Sequence, residues 1–150
     1  MITSLIALAG SSMALAQPLL QPMATLVDHC WAGPAPGGNG AIDKHCFESV
    51  YGGQHVRDRH VITVGGKDVY AGESLYSARG SQVIFTYWNS LGGLGTGTAS
   101  FTSVEWRFSG TIHATPAGGE QPIAATWKIV PGGYEVSDGS GPPRLFKQAN

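Results

Sequence analysis

The chain has little charge: only 13% of its 150 residues are Asp, Glu, Lys or Arg, and the formal net charge is −1. A protein with so few cations lacks the basic face that binding to nucleic acid usually requires. The hydrophobic fraction of 42% is large enough to fill a core, which excludes a disordered, solvated chain. The composition therefore predicts one globular domain that does not bind nucleic acid.

Long apolar runs are also missing. The sequence has no stretch of about 18 apolar residues, the length that a transmembrane helix needs, so we predict no transmembrane segment. The apolar stretch that is present, Leu5 to Ala16, carries no charge and ends in Ala14-Leu15-Ala16, the small-x-small pattern that signal peptidase accepts. No Lys or Arg precedes it. We expect residues 1–16 to be a signal peptide and residues 17–150 to be a single exported domain, periplasmic or secreted. A short buried N-terminal helix is the alternative.

Cysteine is scarce, since Cys30 and Cys46 are the only two. Neither a C-x-x-C motif nor the spacing of a zinc-binding cysteine pair occurs. In an oxidising compartment an isolated pair most often forms a bridge. We predict a Cys30–Cys46 disulfide, which would stabilise the fold by about 3 kcal/mol in the chain-entropy description.

Sustained helical periodicity is absent from residues 17–150, where short segments rich in Val, Ile, Thr and aromatic residues alternate with Gly-containing turns. The glycine-rich stretch 91–100 lacks the Lys-Ser/Thr of a phosphate-binding loop, which favours a rim loop or a distorted strand. About eight or more short strands joined by tight turns predict an all-β fold, a small antiparallel up-and-down barrel. A two-sheet β-sandwich is the alternative.

Residues 43–64, "DKHCFESVYGGQHVRDRHVITV", hold three of the five histidines around a Gly-Gly pair. If Gly52-Gly53 is the turn of a hairpin, His45 faces His60 and Phe47 faces Asp58. Side chains alternate between the two faces of a strand. One face then carries four charges, while the other carries only Asp58 among aromatic and aliphatic residues. Because burying unpaired charge is costly, we expect the face with four charges to contact water.

The opposite face, which we expect to line the barrel interior, carries His45, Asp58 and His60. Tyr51 has the same parity, and counting through the Gly65-Gly66 turn places Glu73 beside them. Two imidazoles and two carboxylates would then meet on neighbouring strands. We predict that these residues form a ligand-binding site: His45, Tyr51, Asp58, His60 and Glu73.

Four roles are open for such a cluster. It can be a structural hydrogen-bond network, or a polar anchor for a ligand in an apolar cavity. His45, Asp58 and His60 also match a two-histidine, one-carboxylate metal site, and a histidine beside a carboxylate can act in acid/base catalysis. No motif singles out a catalytic residue, a metal or a resident cofactor. We predict binding of a small or hydrophobic ligand in the cavity, with a metal-dependent or acid/base enzyme and a structural envelope protein as alternatives.

A tryptophan near the first strand, in Cys30-Trp31-Ala32-Gly33, accompanies the pattern of a secreted barrel of this size. In this respect the chain resembles the calycin group, which comprises lipocalins and lipocalin-like bacterial proteins. It is also similar to uncharacterised exported bacterial proteins in which an early Cys-Trp precedes "HCF" and "RDRH". The resemblance implies a shared barrel fold and no assigned reaction.

Overall fold

The computed structural model describes residues 14–150, so most of the predicted signal peptide, residues 1–16, lies outside the described residues. Within these described residues, alternating apolar residues and glycine turns produce ten strands, preceded by a 3-10 helix over Pro18–Thr25. The strands are β1 (Cys30–Pro34), β2 (Ile42–Val50), β3 (His55–Val64), β4 (Lys67–Arg79), β5 (Gln82–Asn89), β6 (Leu94–Phe101), β7 (Glu105–His113), β8 (Glu120–Val130), β9 (Gly133–Ser137) and β10 (Arg144–Ala149).

The sheet is a closed up-and-down barrel. Each strand pairs antiparallel with its neighbours in sequence, and β1 pairs with β10 to close the ring. The predicted all-β barrel is therefore confirmed, and the β-sandwich alternative is wrong. The glycine-rich stretch 91–100 contributes β6, a paired strand on the barrel wall. Among the described residues, no helix has the length and apolar character to cross a bilayer.

The 3-10 helix covers one end of the barrel. Ala16, just before it, donates its backbone N–H to the carbonyl of Gly53 at 2.9 Å, in the turn between β2 and β3. Leu20, Met23 and Leu26 are completely buried in the hydrophobic core. One end of the barrel is thus filled by apolar side chains from outside the sheet, and the opposite end is formed by loops between strands.

The disulfide is confirmed: Cys30 and Cys46 are bonded and lie opposite one another on β1 and β2. The same register places Trp31 beside His45 on the inner face. The bridge therefore ties the first strand of the ring to the strand that carries His45. Trp31 is buried and donates its indole N–H to the Leu26 carbonyl at 3.3 Å, which links β1 to the segment that follows the helix.

The predicted hairpin register is confirmed. His45 pairs with His60, and Phe47 pairs with Asp58. Tyr51, however, is not an interior residue: it adopts a left-handed conformation with φ of 52° in the turn, and it is 76% exposed. The alternation of a strand ends where the strand ends, so counting parity into the turn gave a wrong position.

A β-bulge changes the parity of β4. Ile62 pairs with Tyr70 but Thr63 pairs with Asp68, which leaves Val69 as an extra residue on β4. Beyond the bulge, Glu73 pairs with Arg59 of the outer face, while Gly72 pairs with His60. The predicted interior position of Glu73 is therefore wrong, because one inserted residue exchanges the two faces of a strand.

Candidate functional site: a polar cluster in the barrel cavity

Four charged or titratable side chains enter the barrel from two neighbouring strands. Asp43 and His45 come from β2, and Asp58 and His60 come from β3. Both carboxylates are buried, and both imidazoles are mostly buried. Their alternation with the outward-facing residues of the same strands places all four on one wall. We call these four residues the polar cluster.

His45 bridges the two carboxylates. Its Nδ1 atom lies 3.0 and 2.9 Å from the two carboxylate oxygens of Asp58, and its Nε2 atom lies 3.3 Å from Oδ2 of Asp43. The ring also stacks on His60, with centroids 4.7 Å apart. Both nitrogens of His45 therefore face an acceptor, an arrangement that suits the doubly protonated ring.

His60 connects the cluster to two tyrosines. Its Nδ1 atom lies 3.0 Å from Oδ1 of Asp43, and its Nε2 atom lies 3.0 Å from the hydroxyl of Tyr87. The Tyr87 hydroxyl is in turn 2.5 Å from that of Tyr70. A chain of polar contacts therefore runs from Asp58 through both histidines to two phenols.

Gly72 provides the space for this chain. It lies opposite His60 on β4, and a Cβ atom built on it would overlap both the Nε2 atom of His60 and the Tyr87 hydroxyl. No other residue type lacks a Cβ atom. The contact between His60 on β3 and Tyr87 on β5 therefore depends on a glycine in the strand between them.

The electrostatics of the cluster favour positive charge. Burial lowers the pKa of His45, but the charge of Asp58 and hydrogen bonds to Asp43 and Asp58 outweigh it and raise that pKa to about 10. Burial raises the pKa of Asp43, but hydrogen bonds to His45 and His60 hold it well below its ordinary value. Burial and the Tyr70 hydroxyl raise the pKa of Tyr87, which stays a neutral phenol. At neutral pH, His45 is a cation beside the Asp43 carboxylate.

The cluster lines a cavity of about 360 Å³ inside the barrel. The other walls are largely aromatic and aliphatic, and they include Tyr76, Trp127 and Phe146. A second cavity of about 200 Å³, lined mainly by apolar residues, shares Tyr76 and Trp127 with the first. The interior thus offers a polar wall and an adjoining apolar space.

The cavity opens toward the end of the barrel opposite the helix. Pro36, Asp138 and Arg144 line it there, and Arg144 is held by an ion pair with Asp138 and by a 3.1 Å hydrogen bond to the carbonyl of Pro34. Several exposed hydrophobic side chains also lie at strand ends and turns at this end, outside the lining of the cavity: Ile42, Val64, Val69, Trp88, Leu91, Leu94 and Leu145. The entrance therefore carries one ion pair, with apolar side chains on the nearby outer surface.

Three of the five predicted site residues lie together in the cavity: His45, Asp58 and His60. Tyr51 and Glu73 do not. The sequence interpretation omitted Asp43, although it lies two residues before His45 and therefore on the same face of β2. It also omitted Tyr70 and Tyr87. The bulge at Val69 changes the parity of β4, so counting from the turn places Tyr70 on the outer face although it faces the cavity. Tyr87 on β5 contacts His60 on β3 across β4, whereas the pairing within a hairpin relates only neighbouring strands.

Comparison with known proteins supports the fold alone. No protein-family model matches the chain, and no curated protein matches it. The crystal structure of Rv2717c from M. tuberculosis is similar, with a TM-score of 0.60 and 15% sequence identity, and the match covers 89% of this chain and 99% of that chain. No family match supports the lipocalin-like resemblance, and this barrel has ten strands where lipocalins have eight.

Proposed function

We propose that this protein is an exported barrel that binds a small molecule with an apolar body and a polar head in its interior cavity. The observation that carries the proposal is the union of a cavity of about 360 Å³ with a polar cluster on one wall. Ligand sites in proteins are concave and mostly apolar, with a few polar groups that fix the orientation of the ligand. Both parts are present here.

The apolar walls define the body of the ligand. Tyr76 and Trp127 line both cavities, so a molecule placed against them can extend from the larger cavity into the smaller one. Burying its apolar surface there would contribute about 25 cal/mol for each Å² removed from water.

The polar cluster defines the head. Asp43 keeps its charge and Asp58 accepts from His45, so the wall presents acceptor oxygens and one buried cation. A head that donates hydrogen bonds or carries positive charge complements these acceptors. An anionic head would meet like charge in a site with little water to screen it. We therefore favour an amine or a hydroxyl compound over a carboxylate.

A matched ligand series tests this proposal. Linear amines, alcohols and carboxylates of one chain length should be titrated into chelator-treated protein while tryptophan fluorescence is followed, because Trp127 lines both cavities. We expect the amine and the alcohol to bind more tightly than the carboxylate. Ala125 lines both cavities, so filling the space with Ala125→Phe should abolish binding, whereas Arg57→Ala on the outer face should not. Equal binding by the wild type and Ala125→Phe would contradict a ligand site in the cavity.

Export is the second part of the proposal. The Cys30–Cys46 bridge is typical of an oxidising compartment, and the Ala14-Leu15-Ala16 site supports cleavage before Gln17. The 3-10 helix begins after that point, so cleavage leaves it in the mature chain. Mass spectrometry of the exported fraction should find a chain that starts at Gln17 and weighs two hydrogens less than its reduced form. An intracellular, uncleaved chain with two free thiols would contradict export.

A further inference from the structure

We propose that Asp43, His45 and His60 form a binding site for one divalent transition-metal ion of the zinc class. This inference does not depend on the organic ligand proposed above. It rests on the arrangement of three donor groups from β2 and β3, on the groups that hold those donors, and on the free space beside them.

The three donors are close enough to share an ion. Each side chain offers one ligand atom, and the three atoms lie within 4.8 Å of one another. Asp43 has one oxygen 3.3 Å from Nε2 of His45 and the other 3.0 Å from Nδ1 of His60. In a tetrahedral zinc site with bonds of about 2.1 Å, donor atoms lie about 3.4 Å apart. The widest pair would need to approach by no more than about 1.4 Å.

In each histidine, the ring nitrogen that faces away from Asp43 already has a hydrogen-bond partner. Asp58 accepts from Nδ1 of His45 at 2.9 Å, and the Tyr87 hydroxyl lies 3.0 Å from Nε2 of His60. Metal-binding histidines usually have such a partner on the nitrogen that does not bind the metal, often a carboxylate. The remaining nitrogen of each ring points to Asp43. Both rings are therefore oriented as they would be around an ion at the carboxylate, which would displace the proton that His45 carries on Nε2 in the metal-free protein.

The donor set and the cavity indicate the class of ion. Two imidazole nitrogens and one carboxylate suit zinc, iron, cobalt or nickel, whereas Ca²⁺ and Mg²⁺ prefer oxygen ligands in larger number. Three protein ligands leave a position for a water molecule or an added ligand. The adjoining cavity of about 360 Å³ provides room for that ligand. The site is thus of the open kind rather than the closed structural kind.

Metal titration of the disulfide-bonded full chain tests the inference. After chelator treatment and its removal, Zn²⁺ should bind with one ion per chain in calorimetry, and Mg²⁺ should give no heat. Co²⁺ should give the strong visible absorption of a four- or five-coordinate site with nitrogen ligands. His60→Gln and Asp43→Asn should each weaken zinc binding at least about tenfold. Tyr87→Phe should weaken it by about tenfold, the lower end of the usual loss for a group that holds a metal-binding histidine, by freeing the His60 ring.

His113→Gln is the matched control, because His113 lies on the exposed end of β7 and contacts Glu120 rather than the cavity. It should leave zinc affinity unchanged. Absence of zinc binding by the wild type would overturn the inference, as would the weak spectrum of six-coordinate Co²⁺. Loss of binding in His113→Gln but not in His60→Gln would do the same. If His60→Gln does not fold, Tyr87→Phe and the wild-type Co²⁺ spectrum decide. The organic ligand series is run in chelator, so each proposal can fail without the other.

Discussion

The two faces of the β2–β3 hairpin carry ion pairs of the same length in different surroundings. On the outer face Arg57 Nε lies 2.9 Å from Glu48, with the two side chains 34% and 32% exposed. On the inner face His45 Nδ1 lies 2.9 Å from Asp58, with exposures of 13% and 4%. Water screens the first pair and is largely absent around the second. The comparison teaches that burial, rather than distance, decides what an ion pair contributes.

Removing the inner carboxylate should produce the largest effect. Asp58→Ala leaves the His45 cation without its main partner in the interior, and breaking a buried pair in this way costs about 3–5 kcal/mol. We expect that loss in the free energy of unfolding, measured by urea denaturation. The matched outer variant Glu48→Ala should lose no more than about 1 kcal/mol. Equal losses in the two variants would contradict the contrast between the faces.

Adding one methyl group next to the cluster should have the next largest effect. Gly72→Ala places a Cβ atom where His60 and Tyr87 meet, so the two side chains must separate or the strand must shift. Overpacking of this kind usually costs about 1–3 kcal/mol. Gly66→Ala cannot serve as the control, because Gly66 has a positive φ that an alanine would strain. The control is Ala71→Gly, which changes one methyl group at the adjacent, outward-facing position of β4. If Gly72→Ala melts like the wild type, the interior is looser than described.

The pH dependence of stability should reveal the inner pair. The pKa of His45 is about 10 in the folded protein and about 6.5 when unfolded. The stabilisation of the fold by charged His45 is therefore complete below pH 6.5 and is lost as the pH rises toward 10. The free energy of unfolding should fall by up to about 1.4 kcal/mol per pH unit in that window. The low pKa of Asp43 adds a second loss, as the pH falls below its ordinary value of 3.8.

Denaturation in chelator between pH 6.5 and 9 measures this slope. His45→Gln should flatten it, because the group that releases the proton is gone. His55→Gln on the outer strand face is the matched control and should keep the slope of the wild type. A wild-type stability that does not change across the window would contradict a buried, charged His45.

The smallest effect is expected on the outer face. Arg57→Ala removes a partly exposed partner of Glu48, and Arg59 lies 3.2 Å from the same carboxylate and can retain part of the interaction. We expect a loss of about 0.5 kcal/mol. Val56→Ala, one residue away but completely buried, should lose about 1–3 kcal/mol. The opposite order in denaturation experiments would mean that the hairpin faces are reversed.

Much of the inner wall could be predicted from sequence, since a glycine turn and period-two alternation together determine which residues of a hairpin face each other. His45, Asp58 and His60 follow from that rule alone. Asp43 follows from the same rule, because it lies two residues before His45 and therefore on the same face of β2. The orientation of the side chains on β4 could not be predicted, because nothing in the residues around Val69 distinguishes a bulged strand from a regular one.

The contacts of the tyrosines were beyond the sequence for a different reason. Tyr87 reaches His60 across an intervening strand, which requires the curvature of the closed sheet and the missing side chain of Gly72. Neither is a property of a hairpin. Sequence counting describes neighbouring strands, whereas this contact depends on how a sheet bends over more than two of them.

The bulge at Val69 determines which residues of β4 face the cavity. If Val69 paired with Ile62 in a regular ladder, Ala71 and Glu73 would face the cavity in place of Tyr70 and Gly72. Deletion of Val69 with the Gly65-Gly66 turn kept would instead leave Tyr70 opposite Ile62 and Gly72 opposite His60, so the same side chains would line the cavity. A bulge in a ring of strands joined by short turns therefore absorbs a change in strand length without changing the ligand site beyond it.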